Sequence, residues 1–588
     1  MRDDNYNIRI NNLEMMFGDP WDRQNPTGIS AILEADEKQE MLESGEKLLD
    51  EYGLNSEFIP VNYGGRLTRV DHLIQIMRSV YRHDPCLGLG YGGSSFIASC
   101  NIWATGTEEQ CQEVAQLMLK NRKLACSYYE LSHGNDLTSI EFEAMSNGEE
   151  LILNGSKQIT SNIQRADIIV IYARTDKGQG SRNHSLILVN KSAIPVDKMK
   201  YLPRFPSVGM RGVQLGGIEF KDCPLPVNRI LGREGSALET AIRSFQITRT
   251  ALPGMFIGIL DTGLRTLIRY AYKRNLYNKA VIQLPQVRTS MVDAFTDLLI
   301  CDCFSTVVAR SIHLLPRETS VYAPAIKYMV PKILIPAMNK LSSVLGAQFY
   351  LRNGEYSIFQ KLLRDLKPIG FGHVARVACQ MTILPQLPRL ARQSWLTDDD
   401  APVQIFELDG YLPPLSYENL SIDAGGRDRL MGSLITGQQK ISSYPADNLH
   451  QEILRLINIF ITELKDLKRE CCDLKPSDLT VMASPEIYDL SNRYATIIAA
   501  SACVNIWINN KQIDSFQLEN SAWIIAALIR LSNHINNQPE VIPEHIESQL
   551  FNQLLDRYNH ARSFDLMNRE LPGESQSLTK TKEKLGSL

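Results

Sequence analysis

The sequence predicts a mainly α protein with a central β domain, and three observations carry that prediction. From about Ala31 to Leu119, stretches such as EADEKQEMLESGEKLLDEYGL repeat apolar residues every three or four positions, as helices with one buried face do. From about Lys123 to Ile230 the texture changes. EELILNGSKQIT, ADIIVIYAR, HSLILVN and GGIEFKD are short, rich in β-branched residues and bounded by Asn, Gly and Asp, which reads as strands and turns. From Glu234 long helical patterns return, with breaks expected near Pro285 and Pro316.

The chain therefore divides into an N-terminal helical domain (1–122), a β domain (123–233) and a helical bundle (234–397). An irregular linker (398–445), an extra helical domain (446–570) and a polar, disordered tail (571–588) complete it. Phe58 to Gly65 (FIPVNYGG) reads as a loop between helices, and Thr107 as the N-cap of the helix after Gly106. IYDLSNRYATIIAASACVNIWINNK and SAWIIAALIRLSNHI carry long apolar faces with polar stripes, as two packed helices do.

Composition narrows the function classes. A net charge of -4 and a pI near 6.3 do not point to nucleic acid or to anionic membranes. The longest apolar run, Tyr494 to Ile508, is interrupted by Thr496, Ser501 and Asn505, so a buried helix is expected rather than a membrane span. No apolar stretch follows the charged start MRDDNYNIRINN, so a signal peptide is not expected. Eleven cysteines lack paired metal-ligand spacing; Cys301/Cys303 and Cys471/Cys472 stand too close together for a zinc site. Reduced thiols, a cytoplasmic location and no bound metal are the expectation.

Several motifs follow one another in order. They are Tyr63-Gly64-Gly65 after an Ile-Pro, GTEEQ at Gly106 to Gln110, and SYYELSHGNDL at Ser127 to Leu137. LNGSKQITSNIQRADIIVIYART at Leu153 to Thr175, IEFKDCPLPVNRILGREG at Ile218 to Gly235, and KRNLYNKAVIQLPQVR at Lys273 to Arg288 complete the series. Over about residues 31–392 the chain resembles the acyl-CoA dehydrogenase family of flavoproteins. The resemblance implies an N-terminal helical domain, a β-barrel domain and a C-terminal four-helix bundle, here followed by an additional helical domain. It implies bound FAD and the α,β-dehydrogenation of an acyl thioester on CoA or an acyl carrier protein. It also implies an electron acceptor, such as an electron-transfer flavoprotein or oxygen, and a homodimer or homotetramer.

The resemblance places cofactor contacts at Tyr128, Tyr129, Gly134, Asn135 and Ser161. Arg274, with Tyr277 beside it, would reach a pyrophosphate from a neighbouring subunit. Departures are visible. Leu131-Ser132-His133-Gly134 stands where the family has Pro-Gly-Ala-Gly, Ile159 where it has Trp, and Asn278 where it has Gly.

The reaction needs a base for the α proton, and the family draws a Glu from one of two places. Here these positions are Phe371 and Thr248, the latter followed by the retained Arg249, a substrate-binding candidate. Neither Phe nor Thr accepts a proton at neutral pH, and no Asp or Glu lies between Leu366 and Ser394. His373 is the candidate catalytic residue, because imidazole titrates near neutrality; Glu130 is a second carboxylate to consider. Two alternatives stand beside dehydrogenation: a flavin-dependent oxidase or monooxygenase, and a catalytically inactive relative with a structural or regulatory role.

Overall fold

The computed structural model describes residues 4–178, 180–445, 447–510, 520–536 and 538–573. Six helices come first: α1 (Asp4–Phe17), α2 (Ile29–Lys38), α3 (Glu43–Tyr52), α4 (Val70–His83), α5 (Ser94–Thr105) and α6 (Glu108–Leu119). The run read as one helical stretch is two. Gln39 leaves α2 in the left-handed region (φ 58°), and its N–H closes back on Asp36 O, so the chain turns before α3 starts. Thr107 caps α6 as expected: its hydroxyl accepts from Gln110 N, and the Gln110 side chain accepts from Thr107 N. Gly65 closes the Phe58–Gly65 loop, where a Cβ would stand 2.0 Å from Ile59 O.

The β domain holds β1 (Leu124–Ser127), β2 (Glu143–Ser146), β3 (Glu150–Ser161), β4 (Ile168–Arg174), β5 (His184–Asn190), β6 (Met199–Leu202), β7 (Leu215–Pro226) and β8 (Ile230–Leu231). The order is β6-β7-β3-β2-β4-β5-β8, with β1 added parallel to β4. The central strand β4 (IIVIYAR) is buried on both faces, which explains its unbroken apolar run. Register shifts between Leu153 and Gly155 and between Lys157 and Thr160 bend β3 against β7.

Helix α7 (Ala237–Lys273) leads into the hairpin β9 (Asn275–Leu276) and β10 (Lys279–Ala280). The bundle continues with α8 (Pro285–Leu314), α9 (Thr319–Leu345), α10 (Ile358–Leu366), α11 (Arg376–Ile383) and α12 (Leu387–Gln393). Pro285 opens α8 and Pro316 lies between α8 and α9, as expected. Pro253 inside α7 and Pro324, Pro331 and Pro336 inside α9 do not end their helices, because both are held by burial along their length. By length and composition α7 could cross a membrane, but its apolar window is entirely buried in the bundle.

The expected linker 398–445 needs correction: α13 (Arg429–Ser442) lies within it, capped by the Asp428 carboxylate accepting from Met431 N. Its glycines obscured it. Gly432 is required because a Cβ there would stand 2.1 Å from Asp399 O. Then follow α14 (Asn448–Asp473), α15 (Pro485–Asn509), α16 (Ser521–Ser532) and α17 (Glu544–Asn559). Helices α15 and α16 pack on each other and on α8, so the extension is a second layer on the bundle within one chain. From residue 574 the expected disordered tail lies outside the described residues.

Candidate active site

The candidate site is built around the turn after α10. Pro368 lacks the N–H that an α-helix needs, and the chain passes through a tight turn at Lys367–Gly370. Lys327, 1% exposed in the middle of α9, donates to Ile369 O at 2.6 Å and to Gly372 O at 3.0 Å, pinning the loop on both sides of Phe371. His373 (φ 47°) and Val374 (φ 87°) then take left-handed backbone, a strained state for a β-branched residue.

That turn drives the imidazole onto α7. His373 Nε2 lies 2.7 Å from Thr248 Oγ1, and its ring meets Phe245 edge-on at 4.5 Å between centroids. So the positions Thr248 and Phe371 are not both filled in place: Phe371 faces outward, 64% exposed, and His373 reaches across to the buried Thr248. The Thr248 hydroxyl is also 3.2 Å from Phe245 O, which it can reach as donor.

Positive charge dominates this site. Burial, then the charges of Lys327 and Arg249, push the His373 imidazole well below its ordinary value, so it is neutral at neutral pH. Burial likewise pulls the Lys327 ammonium down to about 8. Arg249 is 6% exposed and stacks over Phe245, with its charge center 5.6 Å from the ring centroid. Among the described residues its Nη1 reaches only the Thr382 hydroxyl, at 3.4 Å, and its Nε has no hydrogen-bond partner.

On the β-domain side the sequence candidates separate. The Tyr128 side chain lies in the core: it is 1% exposed, packs against Tyr172 and Phe245, and its hydroxyl donates to Asn101 Oδ1 at 2.8 Å. Tyr129 beside it is partly exposed, yet its hydroxyl is buried without a partner. Glu130 is structural rather than a free base. It accepts from Glu141 N, Phe142 N and Lys157 Nζ, each at 3.0 Å. Burial raises its pKa, but the Lys157 charge and these donors outweigh that and hold it below the usual carboxylate range. Gly134 (φ 55°) and Asn135 form an exposed turn, and Ser161 is half-buried at the end of β3.

Arg274 and Tyr277 lie away from these residues, on the β9–β10 hairpin. Tyr277 and Asn278 both have positive φ (53° and 60°), the two-residue turn that Asn tolerates where the family has Gly. Tyr277 is 90% exposed, and Arg274 is exposed with no ion pair among the described residues. The sequence reading missed Lys327 and Lys157. For Lys327 the signal was a lysine inside an apolar run, AIKYMV, where a solvated cation has no place; Lys157, in the polar stretch LNGSKQIT, carried no such signal.

Comparison with known proteins gives consistent matches. Residues 125–223 match the family model described as acyl-CoA dehydrogenase, middle domain, and residues 236–373 the one described as acyl-CoA dehydrogenase, C-terminal domain. The chain is 27% identical over 269 residues to mitochondrial isovaleryl-CoA dehydrogenase of Pongo abelii, covering 45% of this chain and 63% of that protein. It is 27% identical over 333 residues to the Bos taurus counterpart, covering 55% of this chain and 76% of the relative. Among solved structures it is similar to an acyl-CoA dehydrogenase from Bacillus anthracis complexed with FAD, with a TM-score of 0.69 and 14% identity. That likeness covers 99% of this chain and 94% of the other, so the shared fold includes the C-terminal helical layer.

Proposed function

We propose that the chain, whose residues 125–223 and 236–373 match the acyl-CoA dehydrogenase middle-domain and C-terminal-domain models, is an FAD-dependent oxidoreductase acting on an acyl thioester, carried by CoA or a carrier protein, with His373 as the proton acceptor. The observation that carries this reading is the 2.7 Å contact between His373 and Thr248, which brings an imidazole to one of the family's two carboxylate positions.

The residues present fit the cofactor. The buried, unpartnered Tyr129 hydroxyl calls for a polar ligand edge, and Ser161 offers a second hydroxyl at the end of β3. Arg274 and Tyr277, exposed and with no ion pair among the described residues, fit a cation and a ring presented to the pyrophosphate of a second copy. When bound, FAD supplies the acceptor for the hydride leaving the β carbon.

This chain's own residues supply the proton chemistry. With the Thr248 hydroxyl donating to Phe245 O, its oxygen accepts from His373 Nε2–H, and Nδ1 is left with a lone pair for the α proton. Lys327 holds the loop carbonyls and so fixes the imidazole. Arg249, buried over the Phe245 ring, is the cation left for the substrate. The electrons then pass to an electron-transfer flavoprotein or to oxygen.

The test is the visible spectrum of the purified protein, followed by anaerobic addition of acyl-CoA thioesters of graded length. Flavin bands that bleach with one chain length support the reading. Bands that never bleach point to a carrier-protein-bound acyl group or to oxidase or monooxygenase chemistry; no bands after added FAD overturn the reading and favour the catalytically inactive alternative. Arg274→Ala is expected to lower flavin occupancy of the purified protein several-fold while the unfolding midpoint stays unchanged. Equal occupancy in variant and parent would remove Arg274 from the cofactor site.

A further inference from the structure

Most buried cations of this protein pair with a carboxylate, and Arg249 and Lys327 do not; Arg557, also buried, donates to the main-chain carbonyls of Ser563 and Asp565. Arg78, Arg82, Lys157, Arg265, Arg310 and Lys361 are all buried, and each meets a carboxylate within 4 Å. That is the expected arrangement, since a buried charge without a counter-charge costs far more than a paired one. Arg249 and Lys327 are as buried, at 6% and 1% exposure, and neither has a carboxylate partner among the described residues. Lys327 satisfies its ammonium on two loop carbonyls. Arg249 has no equivalent: one long contact to Thr382 and an Nε with no partner leave its fork largely unused.

The surroundings sharpen this. His373 and Arg249 both pack against the Phe245 ring, which also meets Tyr128, and Tyr129 stands beside Tyr128 with ring centroids 6.4 Å apart. Tyr129 adds a buried hydroxyl without a partner, and both positions where a protein carboxylate was expected hold neutral side chains, Phe371 and Thr248. The site offers a planar guanidinium and supplies no anion of its own.

We infer that the ligand brings the missing anion: the site binds a substrate carrying its own carboxylate, held by the Arg249 guanidinium. Guanidinium and carboxylate match in shape and charge, and the pair is strongest where water is excluded. This rests on reading the candidate site as the substrate site, and it narrows the substrate class from acyl groups at large to carboxylate-bearing ones. The carboxylate has two possible sources, a free acid or the far end of a dicarboxylic monothioester.

Isothermal titration of the FAD-loaded protein with matched six-carbon ligands tests it. Hexanoate is set against hexanamide, and adipyl-CoA against hexanoyl-CoA. At least one acid is expected to bind about tenfold or more tightly than its neutral match; the pair that shows the preference identifies the source. Arg249→Gln is expected to erase that preference, and Arg249→Lys to restore part of it. Equal binding within both pairs overturns the inference, and that arm needs no variant to fold. A preference that survives in Arg249→Gln overturns it as well. The redox reading is separable: bleaching by hexanoyl-CoA without any carboxylate preference keeps the dehydrogenase and sinks this inference. A carboxylate preference without bleaching does the reverse.

Discussion

His373→Ala is expected to lower turnover by about 10²–10⁴-fold, the usual range for removing a general base. Flavin content and the unfolding midpoint are expected to stay near those of the parent. The imidazole touches Thr248 and Phe245 on α7, and Lys327 holds the loop carbonyls with or without it. The pH profile separates a base from a structural ring. Burial and the charges of Lys327 and Arg249 push the folded-state pKa of His373 well below its ordinary value of 6.5. The neutral, proton-accepting form therefore persists above that depressed value. Turnover is expected to be flat as pH falls to about 6.5 and to decline only below it. A profile that breaks above neutrality would assign the base to another group. Retained turnover in His373→Ala would remove the residue from the chemistry altogether. The same cations have a cost for this role, since they oppose the imidazolium that proton transfer creates; they favour the negative charge left on the substrate.

The two parts of that site were not equally legible in the sequence. The succession of helices, strands and helices could be read because periodicity is local: four residues in a helix, two in a strand. The boundaries that failed were set by tertiary contacts. Gln39 ends α2 without a glycine or proline to announce it, and α13 hides behind Gly432, whose missing side chain lets Asp399 pass at close range. The absence of a carboxylate at Phe371 and Thr248 was plain from the residues. What replaced it was not, because His373 and Thr248 are 125 positions apart and meet only through a strained turn held by Lys327. Tyr128 and Tyr129 show the limit in miniature. Adjacent residues of one type end in different surroundings, one in the core with its hydroxyl satisfied, the other partly exposed with its hydroxyl unpaired among the described residues.

Asp565→Ala is expected to destabilise the protein by about 3–5 kcal/mol, the cost of breaking a buried ion pair from one side. Its Oδ2 lies 3.2 Å from Arg78 Nη1 and 3.3 Å from Arg82 Nη2, and its Oδ1 accepts from the Ser563 hydroxyl at 2.7 Å. The neighbouring chain is tied to the bundle by main-chain donors: Phe564 N to Asp261 Oδ2 at 2.9 Å and Leu566 N to Asp302 Oδ2 at 2.7 Å. The segment after α17 is thus a strap that closes the extension over α4, α7 and α8. Burial alone would raise the Asp565 carboxyl, but Arg78 and Arg82 outweigh it and hold it well below the usual range. Arg82 and His83 do the same for Glu14, bringing it to about 2. A carboxylate whose folded pKa is depressed stabilises above its unfolded value, about 4, and loses that contribution as pH falls through the folded value. The parent is therefore expected to lose stability below about pH 4, and Asp565→Ala to lose less over the same interval because one of the depressed groups is gone. Urea unfolding of both proteins at pH 7 and pH 3.5 measures this. Asp302 has the opposite sign: burial raises its pKa, so it protonates early and blunts the acid loss without reversing it. A variant that unfolds at the parent's urea midpoint at pH 7 would show that the strap rests on its main-chain donors, with Arg78 and Arg82 satisfied by Asp302 and Glu14 alone.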